Sequence, residues 1–111
     1  MATELPYSIS IEPKIPNLIS KIKERGRSEE FIIIPHAMDR KKEWNISIID
    51  IVHVLINGEH EESKDQYKPE YRAWNYAVRG KTVDNRDLRI AVSFDEKHML
   101  IITVIRLGRK R

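Results

Sequence analysis

At 111 residues the chain is the size of one compact domain, and its 41% hydrophobic content suffices for a single core, which excludes a two-domain arrangement. The absence of cysteine removes disulfides, thiolate metal sites and a cysteine nucleophile together, and points to a reducing, cytoplasmic setting. A formal charge of +3, with charged residues at 33%, suits a polyanion partner, and the opening MATELPYSISIEP carries neither a signal-peptide pattern nor a membrane span.

In chain order, Pro13 and Pro16 precede apolar residues at Ile15, Leu18, Ile19 and Ile22, a spacing that predicts a helix closed by Gly26. Lys14, Lys21, Lys23 and Arg25 lie largely off that face, which makes the helix basic and amphipathic: a solvated surface or a nucleic-acid-contacting arm. Phe31 to Ile34 is a continuous apolar run ended by Pro35, read as a short buried strand. His36 to Trp44 lacks glycine, proline and β-branched residues, so propensity favours a helix with Pro35 at its entrance.

A second helix is marked by Ser47 as N-cap, Asp50 three residues on as a variant capping box, Ile46 and Ile51 at staple positions, and Gly58 as the stop. Ile48, Ile51, Val52, Leu55 and Ile56 form its expected buried stripe, with Asp50, His53 and Asn57 opposite. Glu59 to Glu70 reads as a polar loop. Trp74, Tyr76 and Val78 alternate with smaller residues in a strand ended by Gly80, and Leu88, Ile90, Val92 and Phe94 alternate in a second strand after a turn at Asp84 to Asp87. Asp95 to His98 connects it to Met99 to Ile105 in a hairpin. With the turn on Glu96 and Lys97, Leu88, Ile90, Val92 and Phe94 face Ile105, Thr103, Ile101 and Met99, and Arg89 points away from Thr103; a one-residue slip would unite them. The expected architecture is α+β, N-terminal helices packed on a small twisted antiparallel sheet. Residues 1–35 form an extension with the amphipathic helix and short strand, 36–107 the α+β domain, and 108–111 a basic tail.

His36 and Arg40 stand four apart on a predicted helix and therefore share a face. A neutral imidazole takes a proton and a guanidinium holds a phosphate through two hydrogen bonds, the two tasks needed to cleave RNA by attack of its own 2'-hydroxyl. An H-x-x-x-R step also serves as ordinary helix surface or capping. His53, His60 and His98 have no metal-ligand spacing around them and read as solvated or half-buried, so no metal and no other cofactor is expected. No phosphate-cradling glycine loop or nucleophile elbow occurs. Arg79, Lys81, Arg86, Arg89 and Arg106 place cations on or beside the sheet, near Trp74 and Tyr76, where they could bind RNA; the competing reading turns both aromatics into the core. Arg89, inside a strand of Leu, Ile, Ala and Val, needs an open sheet face or an anion to meet.

HAMDRKKEWNISIIDIVHVLINGE, followed by LRIAVSFDEKHMLIITVI, resembles domain of unknown function family 4258 (DUF4258), whose members open with a His-Ala-x-x-Arg helix and finish on a strand pair with Leu-(Arg or His) and Ile-Thr steps. The resemblance runs from His36 to about Ile105. That family is similar to the RelE and barnase-like metal-independent ribonuclease folds, and many members resemble bacterial toxins of toxin-antitoxin pairs. By resemblance, His36 is the base or acid, Arg40 and Arg89 clamp phosphate and transition state, and Thr103 supports them by hydrogen bonding. RNA, in some cases on the ribosome, and a small protein antitoxin are the implied partners. Glu43, Trp44 and Asn45 stand where the family usually has Glu-Arg-Gly, so one helix cation is lost while Asn45 can still take the left-handed turn conformation. The amphipathic helix before this region is left as a fold decoration, a homodimer contact or the surface that an antitoxin covers. A nucleic-acid- or protein-binding module that lacks the chemistry is the alternative for the whole chain.

Overall fold

The computed structural model describes residues 11–108; the expectations for the first ten residues and for Arg109, Lys110 and Arg111 lie outside the described residues. Helices α1 (Leu18–Ser28), α2 (Pro35–Glu43) and α3 (Ile48–Asn57) accompany strands β1 (Phe31–Ile33), β2 (Glu59–His60), β3 (Gln66–Lys68), β4 (Ala73–Lys81), β5 (Asp87–Phe94) and β6 (Met99–Arg106). The strands run in the order β1, β6, β5, β4, β2, with β3 also on β4. The expected α+β class is what is observed, in a sheet that is mixed rather than purely antiparallel, because β1 pairs parallel with β6.

The helix starts follow from their sequences. Pro35 occupies the first turn of α2, where its missing N–H removes nothing. At α3, Ser47 Oγ accepts the Asp50 N–H at 3.1 Å while the Asp50 carboxylate accepts the Ser47 N–H at 2.8 Å, a complete capping box. Ile46 and Ile51 are both buried, as a staple requires. Lys23 from α1 closes the other end of α3 by donating to the Ile56 and Gly58 carbonyls.

The core lies between the helices and one sheet face: Ile22, Ile51, Val54 and Leu55 meet Val78, Leu88, Ile90, Val92, Ile101 and Val104. Complete burial of such side chains contributes about 1.5–3 kcal/mol each. Leu18 and Ile22, from the amphipathic helix, belong to this same core.

Several local expectations are corrected. Gly26 does not stop α1; it is buried inside it, where a Cβ would stand 2.9 Å from Leu55 Cβ, so it allows α1 and α3 to approach closely. Gly80 likewise lies within β4, touching Gly58 at the end of α3. β1 is a half-exposed edge strand, with Ile32 44% exposed, instead of a buried one. Ile48 is exposed and Val54 takes its place in the stripe of α3, which also buries Asp50. The polar stretch from Glu59 contains β2, a 3₁₀ turn at Glu62–Lys64 and β3.

The terminal hairpin holds both registers considered above. Near its turn, Phe94 pairs with Met99 and Val92 with Ile101, as expected; a β-bulge then shifts the partners, so that Ala91 faces Thr103, Ile90 faces Val104 and Leu88 faces Arg106. An extra residue on one strand reverses the alternation beyond it. Thr103 thereby moves to the sheet face that carries Arg89.

Candidate functional site

The sheet face away from the helices is laid out by cross-strand pairing. Asp87, Arg89, Ala91 and Ser93 alternate with the buried Leu88, Ile90 and Val92 on β5, while Asn75, Ala77, Arg79 and Lys81 occupy the corresponding face of β4. Arg79 pairs directly with Arg89, Ala77 with Ala91, and Ala91 with Thr103. At one end of this face is a recess of about 510 Å³ walled by Glu59, Glu61, Arg79, Lys81 and Asp87. At the other is a groove of about 960 Å³ lined by residues including Ile34, Tyr71, Asn75, Leu100 and Ile102.

His36 is exposed in the first turn of α2, and Arg40, half exposed, follows one turn later. α2 packs along β6, the strand that bears Thr103. Arg40 pairs with Glu43 on its own helix at 3.1 Å, whereas the side chains of His36 and Thr103 form no hydrogen bond or ion pair among the described residues. Arg89 shares a face with Thr103 but its guanidinium is engaged elsewhere. It crosses β4 to reach Glu61, which follows β2, donating from Nε and Nη2 to the two carboxylate oxygens at 2.6 and 3.0 Å. The structure thus brings Arg89 and Thr103 to the sheet face away from the helices and leaves His36 and Arg40 on α2, whose buried Ala37 packs into the core on the other face; no direct bond joins the two pairs.

The candidate RNA-binding cations divide. Arg79 grips Asp87 through two bonds of 3.2 and 2.7 Å and stands 3.5 Å from Glu61; with Lys81 it edges the recess. Arg106 is half exposed at the end of β6. Arg86 is different. It donates to Asp50 at 2.9 Å, to Asp84, and to the carbonyls of Trp44 and Asn45, tying the turn before β5 to the α2–α3 connection. With its donors committed inside the fold and its side chain 16% exposed, it is a structural arginine, which leaves little of it for a phosphate. Asn45 takes φ 54, the left-handed conformation anticipated for it.

The aromatics also serve the fold. Tyr76 is buried, its hydroxyl accepting from the Ile15 N–H, and Trp74 donates to the Glu12 carbonyl at 2.7 Å under the Lys14 ammonium. Neither offers a free base-stacking surface. His53 Nδ1 lies 2.9 Å from the Lys81 carbonyl and His60 Nε2 2.8 Å from Asp65, whose carboxylate also receives Lys14 and the Ala77 N–H. Among the described residues no group of three or more His, Asp or Glu is arranged to hold a metal ion, and no helix is long and apolar enough to cross a membrane.

Glu61 and Asp87 carry no motif that sequence reasoning could single out. Arg89 holds the Glu61 carboxyl below its ordinary range chiefly through its hydrogen bonds, and Arg79 does the same to Asp87. The arginine-rich strand pair is the available signal, since each buried or half-buried cation needs a counter-anion on a neighbouring strand.

No curated protein and no solved structure matches the chain. The family described as "Domain of unknown function (DUF4258)" matches residues 33–106, from the end of β1 to the end of β6 and so well over half of the sequence, and the chain belongs to that family.

Proposed function

We propose that the protein is a metal-independent endoribonuclease, the toxin of a toxin-antitoxin pair, that cleaves RNA by attack of the 2'-hydroxyl. The observation that carries this reading is the placement of His36 and Arg40 one turn apart and open to solvent on α2; the bulge in β6 sets Thr103 on the face of Arg89, across the sheet from that helix. In the reaction, the 2'-oxygen bonds to phosphorus and the bond to the 5'-oxygen breaks. His36 moves a proton as base or acid and Arg40 beside it stabilises the charge on the phosphoryl oxygens, while Arg89 and Thr103, on the opposite sheet face, hold the flanking strand. Arg79 and Lys81 extend the cationic surface beside Arg89, whereas Arg106, the cross-strand partner of Leu88, lies on the other face. The reaction class is the one implied by the resemblance noted in the sequence to RelE and barnase-like ribonucleases, to which no solved structure adds support.

The test is incubation with an RNA oligonucleotide in EDTA. A 2',3'-cyclic phosphate product, abolished by His36→Ala and Arg40→Ala, is expected. Growth arrest on expressing the chain alone, relieved by a small neighbouring protein, tests the toxin role. A second reading draws on the Arg89–Glu61 pair, which faces away from α2: a module that binds RNA without cutting it. Salt-dependent binding that leaves the RNA intact would select that reading.

A further inference from the structure

Arg79 and Arg89 are direct cross-strand partners, a placement in which like charges repel unless an anion lies between them. Glu61 is that anion. Its two oxygens meet Nε and Nη2 of Arg89, and Oε2 lies 3.5 Å from Nη1 of Arg79. The Nε and Nη2 edge of a guanidinium receives two oxygens of a phosphodiester in the same forked geometry.

Glu61 is also placed to leave. It follows a strand of two residues, its backbone is tied to the fold by one bond to Ala77 and one to Lys64, and its side chain is 18% exposed beside the 510 Å³ recess. Local charge is balanced, with Arg79, Arg89 and Lys81 set against Glu59, Glu61 and Asp87 in and around that recess. Entry of a polyanion therefore requires one carboxylate to yield.

We infer that Glu61 occupies the seat of a backbone phosphate, and that this face takes up an RNA strand by exchanging the Glu61 carboxylate for the oxygens of a phosphodiester on Arg89 and Arg79. The inference rests on the RNA-acting reading above but not on cleavage. The exchange makes and breaks no covalent bond.

The experiment measures binding of a 2'-O-methyl RNA oligonucleotide, which cannot undergo 2'-hydroxyl attack, by fluorescence anisotropy across a salt series. Glu61→Gln keeps the shape and removes the charge; it is expected to bind about tenfold more tightly. Its log–log salt dependence should steepen by about 0.7 for each further phosphate that the freed arginines neutralise. Glu61→Gln/Arg89→Gln should lose that tightening. Glu62→Gln, which removes the same charge at a neighbouring carboxylate 73% exposed and outside the fork, should change affinity less than about twofold.

Should Glu61→Gln unfold, Glu61→Asp retracts the carboxylate while keeping its charge, and a smaller tightening is expected. Wild-type binding with no tightening in the Glu61 variants overturns the exchange and leaves the ribonuclease reading standing. Equal tightening in Glu61→Gln and Glu62→Gln overturns it in favour of bulk charge. Absence of salt-dependent binding in every variant overturns both.

Discussion

Arg86 and Arg89 flank the start of β5 and have opposite fates. Arg86 spends its donors on two aspartates and two backbone carbonyls, joining three segments of chain. Arg89 has one carboxylate partner, Glu61, on a short segment beside an open recess. Residue type and sequence position suggest a nucleic-acid contact for both. What separates them is whether the partner is backbone within the fold or a side chain at its margin, because only the latter can be exchanged for a ligand.

That contrast can be broken by substitution. Arg86→Ala should cost about 3 kcal/mol in urea denaturation, since it leaves the buried Asp50 without its cation, with only the Ser47 N–H bonded to it among the described residues, and two carbonyls without their donor; a loss below about 1 kcal/mol would mean that Arg86 is not structural. Arg89→Ala, which removes the fork from the largely buried Glu61 but leaves no backbone carbonyl without its donor, should cost about 1–2 kcal/mol and weaken RNA binding about tenfold. An equal stability loss in the two variants would erase the distinction between them. Ser47→Ala sharpens it from another side, because Asp50 serves both the α3 cap and Arg86: loss of the cap should cost about 1 kcal/mol, and in the Arg86→Ala background the two losses should not add.

The smallest effect is one of pH. Glu61, Asp84 and Asp87 all have folded carboxyl groups held below their ordinary range, Glu61 and Asp87 by arginine and Asp84 first by Thr82 and then by Arg86. A depressed folded value means that the stabilisation is complete above the unfolded carboxylate range, near pH 4, and disappears as pH falls through the lower folded value. Stability should therefore decline below about pH 4. Arg89→Ala should flatten the Glu61 part of that decline, as chemical denaturation at successive pH values would reveal.

Much of the framework is legible in local chemistry. Pro35, the Ser47–Asp50 box, Gly58 and the alternation along β4 and β5 mark real boundaries because each acts through its immediate neighbours. The misread glycines show the limit: Gly26 and Gly80 are required by contacts with Leu55 and Gly58, far along the chain. The bulge is hidden for a similar reason. Met99 to Arg106 is apolar at almost every position, so periodicity leaves the face of Thr103 undecided. His36 and Arg40 stand out through a motif, whereas Glu61 lies in a polar stretch with no pattern, and only tertiary pairing reveals its place between two arginines.

The parallel strand β1 has a kinetic consequence. Phe31 pairs with Met99 and Ile33 with Ile101, so a segment near the start of the described chain finds its sheet partner only in the last strand. Closing so long a loop is entropically slow relative to forming the β5–β6 hairpin. On a ribosome, the edge of β1 must wait unpaired until the C-terminal strand has emerged. The emergence of β6, rather than of the N-terminal helices, thus governs when the fold can complete.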